Sequence, residues 1–463
     1  MSSKRIVVAL AVVSLLVVGG CSGRSGTETE ATGGSQKESA EVGSGDFGDL
    51  SGVCGPGAAK SATAQGVTAD EIKVGIFSDV GFTKNPEFVD AAKVFTSWCN
   101  AAGGINGRKL VAEVYDTKLM EVRQRMIEAC RSDFALVGGG AALDALGVKE
   151  RLKCLLPDFP AQVVQAENAF SDLQVTASVS TGSRYEPFQG FRQWLLQQKY
   201  PESKGAVGII NGDSPVTKVI GTKTVESMQA LGATVTYDEL YPAAGVSDWT
   251  PYAQSIKSKG VKGLVFMGQF TQLLKLEDVL TSMDYKLDWI DATNNAYNQE
   301  FIDNGGRSLG FQNSYLDLSG AASLESGDKV PAVRQVDQMY DKYAPGTSVT
   351  FPGIRAIAAW VLFAKSAGSC ADELTRKCAL DVAKAEKEWT AGGLQMPVDL
   401  SVADRPVPCY DIEVARPGGW QAADFGPTID GLYRCDAPIY EYQGEYPKPV
   451  TLADIGKSAS DVK

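Results

Sequence analysis

Gly306, Ser308 and Gly310 match G-x-S-x-G, the pattern that presents the nucleophilic serine of many hydrolases. Such a serine needs a general base, which is a histidine in the common catalytic triads. The 463-residue chain contains no histidine. Histidine-based nucleophilic catalysis is therefore excluded, and we do not expect an enzyme. A carboxylate pair for glycosidase chemistry stays open, although no spacing singles one out.

Two glycine-containing stretches resemble phosphate-binding loops but lack required residues. The glycines at 138–140 follow a predicted strand, yet G-x-G-x-x-G requires glycine at the position of Leu143. The sequence GKS at 456–458 lacks the P-loop glycine five residues earlier, where Thr451 stands. The first stretch predicts a tight strand-to-helix turn, and no cofactor is expected.

Nine cysteines indicate disulfide chemistry. If Cys21 is set aside, the other eight suit four disulfides in an exported protein, although many connectivities are possible. Proximity along the chain favours the pairs Cys370–Cys378, Cys409–Cys435, Cys130–Cys154 and Cys54–Cys99. A metal site is the alternative, but the C-x2-C spacing of common zinc sites is missing, so no bound metal is expected.

The first 21 residues indicate export. Lys4 and Arg5 precede an uncharged apolar stretch at 6–18, shorter than the roughly 20 residues of a membrane-spanning helix. The sequence VGGC resembles a bacterial lipobox, which implies a signal peptide at 1–20 and a lipidated Cys21. An ordinary signal peptide with an incidental cysteine is the alternative. Residues 22–50 are rich in small and polar residues and predict a disordered tether.

Beyond the tether, β-branched runs alternate with amphipathic segments. Strands are predicted at 71–77, 109–115, 134–138, 154–159, 206–210, 233–237, 263–267 and 287–290, and helices at 88–104, 120–131, 185–200 and 217–232. This alternation predicts parallel sheets with helices on both faces and a ligand site at the carboxyl ends of the strands. The segment 406–421 predicts a strand and turn. The net charge of −12 argues against a nucleic-acid partner.

Three stretches carry a family resemblance: GVTADEIKVGIF at 66–77, NAAGGINGRK at 100–109 and AVGIINGD at 206–213. They resemble the type I solute-binding proteins of bacterial ABC importers, the leucine/isoleucine/valine-binding group. The resemblance covers about residues 66–435. It implies two Rossmann-like α/β lobes with parallel sheets, joined by a three-crossing hinge. By the order of matching segments, lobe one takes 66–180 and 317–400, lobe two takes 181–316 and 401–445, and a C-terminal tail takes 446–463.

The resemblance also implies a function. We expect a monomeric solute-binding component of an ABC importer, held by lipid at the outer face of the cytoplasmic membrane, that delivers a small molecule to its permease. The four-disulfide complement is typical of actinobacterial members. A ligand-binding sensor of the same fold is the alternative, and an enzyme or a structural envelope protein are the other classes.

Candidate ligand contacts lie in the strand-end loops. They are Ser78, Asp79, Phe82, Gly140, Ala141 and Gln162 in lobe one, and Asp213, Ser214, Gln269, Phe270, Asn294 and Tyr297 in lobe two. Polar side chains and backbone groups would orient the ligand, and the three aromatic side chains would cover it. The alternatives are core packing for the aromatic residues and a helix N-cap for Asp213 and Ser214.

The family's amino-acid binders hold the ligand carboxylate with hydroxyls and its ammonium with an acidic residue. Here Ala141 and Ala142 stand where hydroxyls are expected, and Thr293 stands near the acidic position, two residues from Asp291. A buried ammonium without a partner costs several kcal/mol. We therefore expect a mostly neutral or aromatic solute rather than a simple α-amino acid. A carboxylate held by helix N-terminal amides stays open.

Overall fold

The computed structural model describes residues 44–292 and 296–463. The first part of the chain, up to Phe159, alternates between β-strands and α-helices. The strands are β1 (Glu71–Ser78), β2 (Lys109–Asp116), β3 (Ala135–Val137) and β4 (Asp158–Phe159), and the helices are α1 (Val80–Thr83), α2 (Glu87–Ala101), α3 (Val122–Ala129) and α4 (Ala145–Lys153). The strands are parallel in the order β2-β1-β3-β4. Their carboxyl ends therefore share one edge of the sheet.

The second part repeats the pattern in a larger sheet. It contains α5 (Gln189–Gln193), β5 (Val207–Asp213), α6 (Pro215–Ala230), β6 (Val235–Pro242), α7 (Thr250–Ser258), β7 (Gly263–Met267), α8 (Phe270–Ser282), β8 (Trp289–Asp291), α9 (Gln299–Asn304), α10 (Ser308–Phe311) and β9 (Ser314–Asp317). The helix predicted at 185–200 is formed by α5 and a π-helical turn at Trp194–Lys199. Each of the eight predicted strands is present, which confirms the α/β fold class. Sequence patterning did not predict the short strand β9.

The chain then returns to the first sheet and leaves it again. Helices α11 (Pro331–Tyr343), α12 (Phe351–Ser369) and α13 (Arg376–Ala385) share a buried apolar cluster with α2 and β1. Strands β10 (Ile412–Arg416) and β11 (Gly419–Ala422) add to the second sheet: β10 pairs antiparallel to β9, and β11 pairs antiparallel to β10. The predicted strand and turn at 406–421 is thereby confirmed.

We define lobe one as the first sheet with α1–α4 and α11–α13, and lobe two as the second sheet with α5–α10. Three crossings join them: the first at 176–188, the second at 318–330 and the third at 401–411. The sequence-based division placed Asp317 in lobe one, but it is the last residue of β9 and pairs with Ile412 in the second sheet. The division is wrong at this residue because the four-residue strand β9 carries too short a pattern to recognise.

The amphipathic face of α2 explains how lobe one is built. Phe95 and Trp98 are fully buried and pack against Trp360 of α12 and Phe47. The helix ends before Gly103 and Gly104, whose φ angles of 110° and 78° suit glycine. The predicted stop at these glycines is confirmed.

The predicted tether reached residue 50, and this boundary is wrong for residues 44–50. Phe47 is fully buried against Trp98. The Gln335 side chain accepts from the Gly48 amide and donates to the Asp46 carbonyl, both at 2.8 Å. One aromatic side chain in polar, glycine-rich sequence is enough to anchor this segment. Cys21 and the signal peptide lie outside the described residues.

The four predicted cysteine pairings are the four disulfides of the structure: Cys54–Cys99, Cys130–Cys154, Cys370–Cys378 and Cys409–Cys435. The first three lie in lobe one, and the last joins the end of the third crossing to a loop beyond β11. None of the helices in the described ranges has the length and apolarity needed to cross a membrane.

Residues 440–452 form a further connection between the lobes, which we call the C-terminal strap. Tyr440 and Tyr442 pair through their backbones with residues 184–186 of the first crossing. Beyond them, the Val450 amide donates to the Glu167 carbonyl, and the Leu452 amide donates to Asp172 in lobe one. Val450, Leu452 and Val462 are buried in the lobe-one core. The segment predicted as a C-terminal tail is therefore packed on the fold.

Glu226 of α6 holds the lobe-two end of the strap. Its carboxylate accepts from the Tyr440 hydroxyl at 3.0 Å, the Gln443 amide at 2.5 Å, the Gly444 amide at 3.2 Å and the Tyr446 hydroxyl at 2.6 Å. Partial burial raises the pKa of Glu226, but these hydrogen bonds together leave it below its ordinary value of 4.5.

We expect Glu226→Gln to lower the free energy of unfolding at pH 7 by about 1–3 kcal/mol, because charge-assisted hydrogen bonds to the strap are lost. Because the pKa of Glu226 is lower in the folded protein than in the unfolded chain, its ionisation stabilises the fold at pH values above the unfolded-state pKa. This contribution disappears as the pH falls through the folded-state pKa. The difference in the free energy of unfolding between the parent protein and Glu226→Gln should thus vanish in acid. Urea unfolding at several pH values measures it, with the exposed Glu445→Gln as the matched control. An equal effect of both substitutions would contradict the role of Glu226.

Candidate functional site

Asp79 fixes the loops at the carboxyl edge of the first sheet. Its buried carboxylate accepts from the Ala142 amide at 2.7 Å, from the Leu119 amide at 3.0 Å and from the Thr117 hydroxyl. These donors lie after β2 and β3, while Asp79 follows β1. The predicted ligand contact therefore acts as a brace between three strand ends.

The turn at 138–140 brings further predicted residues to the same edge. A Cβ atom on Gly138, whose φ is 66°, would lie 2.3 Å from the Trp360 indole nitrogen, so only glycine is accommodated. A Cβ atom on Gly140 would lie 3.0 Å from that of Gln162. The predicted tight turn is confirmed, and Gly140 and Gln162 are neighbours beside the buried Ala141.

Two predicted lobe-one residues differ in exposure. Ser78 is the buried last residue of β1, and its carbonyl accepts from the Thr117 amide at 2.9 Å. Phe82 is 55% exposed at the end of the short helix α1. Phe82 is thus available to cover a ligand, whereas the backbone of Ser78 is engaged in the sheet edge.

Two polar candidates of lobe two serve local structure. Ser214 is the N-cap of α6 and forms a capping box with Thr217. Asp213 forms an exposed ion pair with Lys218, with 2.5 Å between the charged atoms. The helix-cap alternative is confirmed for Ser214.

The remaining candidates of lobe two lie after β7 and β8. Gln269 is exposed, and Phe270 is partly buried with its ring 6.5 Å from that of Phe301. Tyr297 is buried between Phe351 and Trp420, and its hydroxyl hydrogen-bonds to Glu325. Asn294 lies outside the described residues. Tyr297 therefore contacts α12 of lobe one and β11 of lobe two.

The candidate residues form two separate groups. Ser78, Asp79, Gly140, Ala141 and Gln162 lie together at the edge of the first sheet. In the described ranges, no hydrogen bond or ring contact joins them to the lobe-two candidates. A ligand that used both groups would have to bridge the lobes.

A cavity of about 40 Å³ lies at the three crossings. Its walls come from the first crossing and the preceding loop, the second crossing, α12, and the chain at 394–407. The wall is largely apolar, with side chains including Val179, Leu318, Ile354, Ala358, Met396 and Val407. Sequence analysis did not place any ligand contact here.

Two arginines line this cavity and differ in their partners. Arg405 donates to the carbonyls of Thr176, Ala177, Val402 and Ala403, and so ties the first crossing to the third. Arg355 has no hydrogen bond or ion pair within the described part of the chain. Its guanidinium lies 4.4 Å from the centre of the Phe351 ring. Burial lowers the pKa of Arg355 to about 10, so it remains a cation at neutral pH.

Ser319 lines the same cavity in a strained conformation. Its φ angle is 55°, in the left-handed region that non-glycine residues seldom adopt. Its side chain is 5% exposed, and its hydroxyl has no hydrogen-bond partner among the described residues. The Asp317 carboxylate fixes this backbone by accepting from the Ser319 amide at 2.7 Å.

Acidic residues near the crossings are shifted toward their neutral forms. Burial raises the pKa of Asp317 to about 8 and that of Glu413 to about 9. Burial, together with Asp317 and Glu325, raises the pKa of Asp411 well above its ordinary value. The described residues contain no group of three or more potential ligands arranged around a metal ion. Of these acids, Asp317 acts electrostatically on Arg355 and opposes the lowering of its pKa by burial.

A second, open groove of about 520 Å³ lies between the start of α9 and α11. It is lined by Glu325, Asp337 and Asp341, with Tyr340 and Trp420 as its aromatic walls. Three carboxyl groups make this groove unfavourable for an anion. The smaller cavity at the crossings is the better candidate for a buried ligand.

Arg355 and Ser319 could not be recognised from the sequence, because they are distinguished by the lack of a hydrogen-bond partner within the part of the chain that the structure describes. One local signal existed: Arg355 is the only charged residue between Phe351 and Ala364. An arginine in an apolar helix without an acid three or four residues away lacks helical ion-pair support. The cavity around it could not be inferred from this pattern.

Residues 71–410 match the family model described as "Periplasmic binding protein". No curated protein sequence matches the chain. Among solved structures, the fatty acid ABC transporter substrate-binding protein from Thermomonospora curvata superposes with a TM-score of 0.66 at 16% identity, covering 83% of this chain and 97% of the other.

Two further solved structures show the same fold. The branched-chain amino acid transporter substrate binding protein LivJ from Streptococcus pneumoniae, in complex with isoleucine, gives a TM-score of 0.60 at 16% identity, with 76% and 99% of the two chains covered. The leucine binding protein LivK from Thermotoga maritima gives 0.60 at 12% identity, with 76% and 97% covered. At these identities the likeness shows the type I periplasmic binding fold.

We expect Asp79→Ala to destabilise the protein by about 3 kcal/mol, because it leaves buried donors from two loops without their acceptor. The matched control is Asp213→Ala, which removes an exposed carboxylate and should change stability by less than about 1 kcal/mol. Urea unfolding without ligand measures both. If Asp79→Ala left stability unchanged and altered only ligand affinity, Asp79 would be a ligand contact and the brace would be wrong.

Proposed function

The chain belongs to the periplasmic binding protein family, and we propose that it is the extracytoplasmic solute-binding component of an ABC importer. The cavity at the crossings carries this proposal, since its walls come from segments that join both lobes. A ligand held there is positioned to bias the angle between the lobes. Movement about such crossings is the usual hinge mechanism of domain closure.

In the proposed mechanism the ligand enters while the lobes are apart and is buried as they close. Removal of apolar surface from water and pairing of polar groups supply the binding free energy. The closed form would then be recognised by the permease, which receives the ligand. No covalent bond is made or broken in this cycle.

The ligand is proposed not to be a simple α-amino acid. The loop after β3 presents Ala141 and Ala142, which offer no side-chain hydroxyl, and Asp79 is engaged as a brace. At the crossings, burial raises the pKa of Asp317 to about 8 and that of Glu413 to about 9, which disfavours the charged carboxylates that an ammonium group would need. These features support a ligand without a buried positive charge.

We propose that Cys21 carries the membrane anchor and that residues 22–43 act as the tether. The support is the VGGC sequence followed by small and polar residues. Anchoring would keep the binding protein beside its permease. It would also raise the local concentration of captured ligand at the transporter.

We expect Cys21→Ser to abolish lipid attachment, because the acceptor thiol is lost. The variant should leave the membrane fraction, and its intact mass should lack acyl chains. Cell fractionation and mass spectrometry of the protein from the two fractions measure this result. An unacylated parent protein, or a variant that stays membrane-bound and acylated, would disprove the anchor.

Ligand capture is tested by native mass spectrometry of the purified protein before and after partial unfolding and dialysis. We expect a small molecule bound one to one that raises the melting temperature when returned. Solution scattering should show a smaller radius of gyration with ligand, as hinge closure requires. Absence of any bound molecule, together with no thermal shift across amino acids, amides and organic acids, would contradict the proposal. Uptake that does not depend on the protein would favour a sensor instead.

A further inference from the structure

We infer that the ligand is an apolar monocarboxylate, bound through its carboxylate to the Arg355 guanidinium and the Ser319 hydroxyl at the crossings. This inference rests on the proposed function and names its ligand class. It differs from the sequence-based expectation of a neutral or aromatic solute held by the strand-end loops.

Arg355 supplies the charge argument. The Arg355 side chain is partly buried, and withdrawal of a guanidinium from water costs free energy unless a partner compensates it. The Phe351 ring at 4.4 Å provides partial compensation through a cation–π contact. The planar fork of arginine matches a carboxylate, which can accept two parallel hydrogen bonds from it. A ligand carboxylate would therefore complete an interaction that the described residues leave open.

Ser319 supplies an independent observation. Buried hydroxyls nearly always have a partner, yet the Ser319 oxygen in the cavity wall has none among residues 44–292 and 296–463. The residue is also held at a φ of 55°, which costs free energy for a side chain other than glycine. A hydroxyl is a neutral donor and can share a carboxylate with an arginine. A strained backbone and an unused hydroxyl donor at the same residue indicate a site that binds a hydrogen-bond acceptor of the ligand.

The cavity walls define the rest of the ligand. Val179, Leu318, Ile354 and Met396 surround the site with apolar surface, which disfavours a second charge. The other lining arginine, Arg405, is engaged with four backbone carbonyls. A dicarboxylate would therefore lack a second cation, and an amino acid would lack a partner for its ammonium. One carboxylate with an apolar body remains.

The size of the cavity limits how much of the ligand it can hold in this arrangement of the lobes. Its volume of about 40 Å³ is that of a few water-sized probes. It accommodates a carboxylate and the first carbons next to it. A longer apolar body would require the lobes to be further apart or would extend from the cavity along the interlobe surface.

The test compares four probes by isothermal titration calorimetry: hexanoate, decanoate, the uncharged hexanamide and zwitterionic leucine. We expect the parent protein to bind a carboxylate more tightly than hexanamide or leucine. Arg355→Met should weaken carboxylate binding about tenfold or more and leave the weak binding of hexanamide unchanged. Arg355→Lys should restore part of the affinity. Ser319→Ala should weaken carboxylate binding several-fold.

The matched control is Arg131→Gln, which removes an exposed arginine and should leave carboxylate affinity unchanged. Removal of a partly buried charge that lacks a hydrogen-bonded partner among the described residues should also keep or raise the melting temperature of ligand-free Arg355→Met. Circular dichroism shows whether Arg355→Met folds. If it does not, Arg355→Lys and Ser319→Ala are used to test the site.

The outcomes separate the two proposals. If a different molecule co-purifies and binds while neither carboxylate does, the ligand class is wrong and the solute-binding function stands. If carboxylates bind equally well to the parent and the Arg355 variants, the site is wrong. If no probe and no co-purified molecule binds, both proposals are overturned.

Discussion

The structure depends on the buried carboxyl group of Asp317, which joins two crossings where they leave the second sheet. One oxygen accepts from the Ser319 amide at 2.7 Å and from the Asp411 amide at 3.1 Å. The Leu318 amide donates to the Asp411 carbonyl at 2.8 Å beside it. Without this acceptor, buried backbone N–H groups of both crossings would lose their partner, which folded proteins rarely tolerate. The carboxyl group thus sets where the second and third crossings meet.

This junction explains why the Ser319 hydroxyl in the cavity wall has no hydrogen-bond partner among the described residues. Holding Ser319 in a left-handed conformation places its hydroxyl in the cavity wall, which α12 completes with Arg355. Arg405 lies in the same wall and, through its hydrogen bonds, connects the first crossing to the third. A ligand carboxylate at the junction would therefore contact the segments that must move during closure. The C-terminal strap, which follows the region that the family model covers, adds a further link between the lobes through Glu226 of α6.

Much of the fold could be predicted from the sequence because it depends on local patterns. The β/α alternation, the helix stop at Gly103 and the four cysteine pairings follow from periodicity, backbone preference and proximity. Residues 44–50 could not be predicted, since one buried Phe47 outweighs a polar composition. The strand-end loops lie at the carboxyl edge as expected, but the hydrogen bonds of Asp79 to three donors could not be predicted, because these donors are distant in sequence. The roles proposed for Arg355 and Ser319 rest on missing partners, which only the tertiary structure reveals.

The most direct measurement is a crystal structure of the protein with its co-purified ligand or with decanoate. The account predicts electron density for a carboxylate within hydrogen-bond distance of the Arg355 guanidinium and the Ser319 hydroxyl, with the apolar body between the lobes. Density confined to the edge of the first sheet, around Gly140 and Gln162, would place the site where the sequence suggested. An acid from the protein paired with Arg355 in that structure would contradict the central claim.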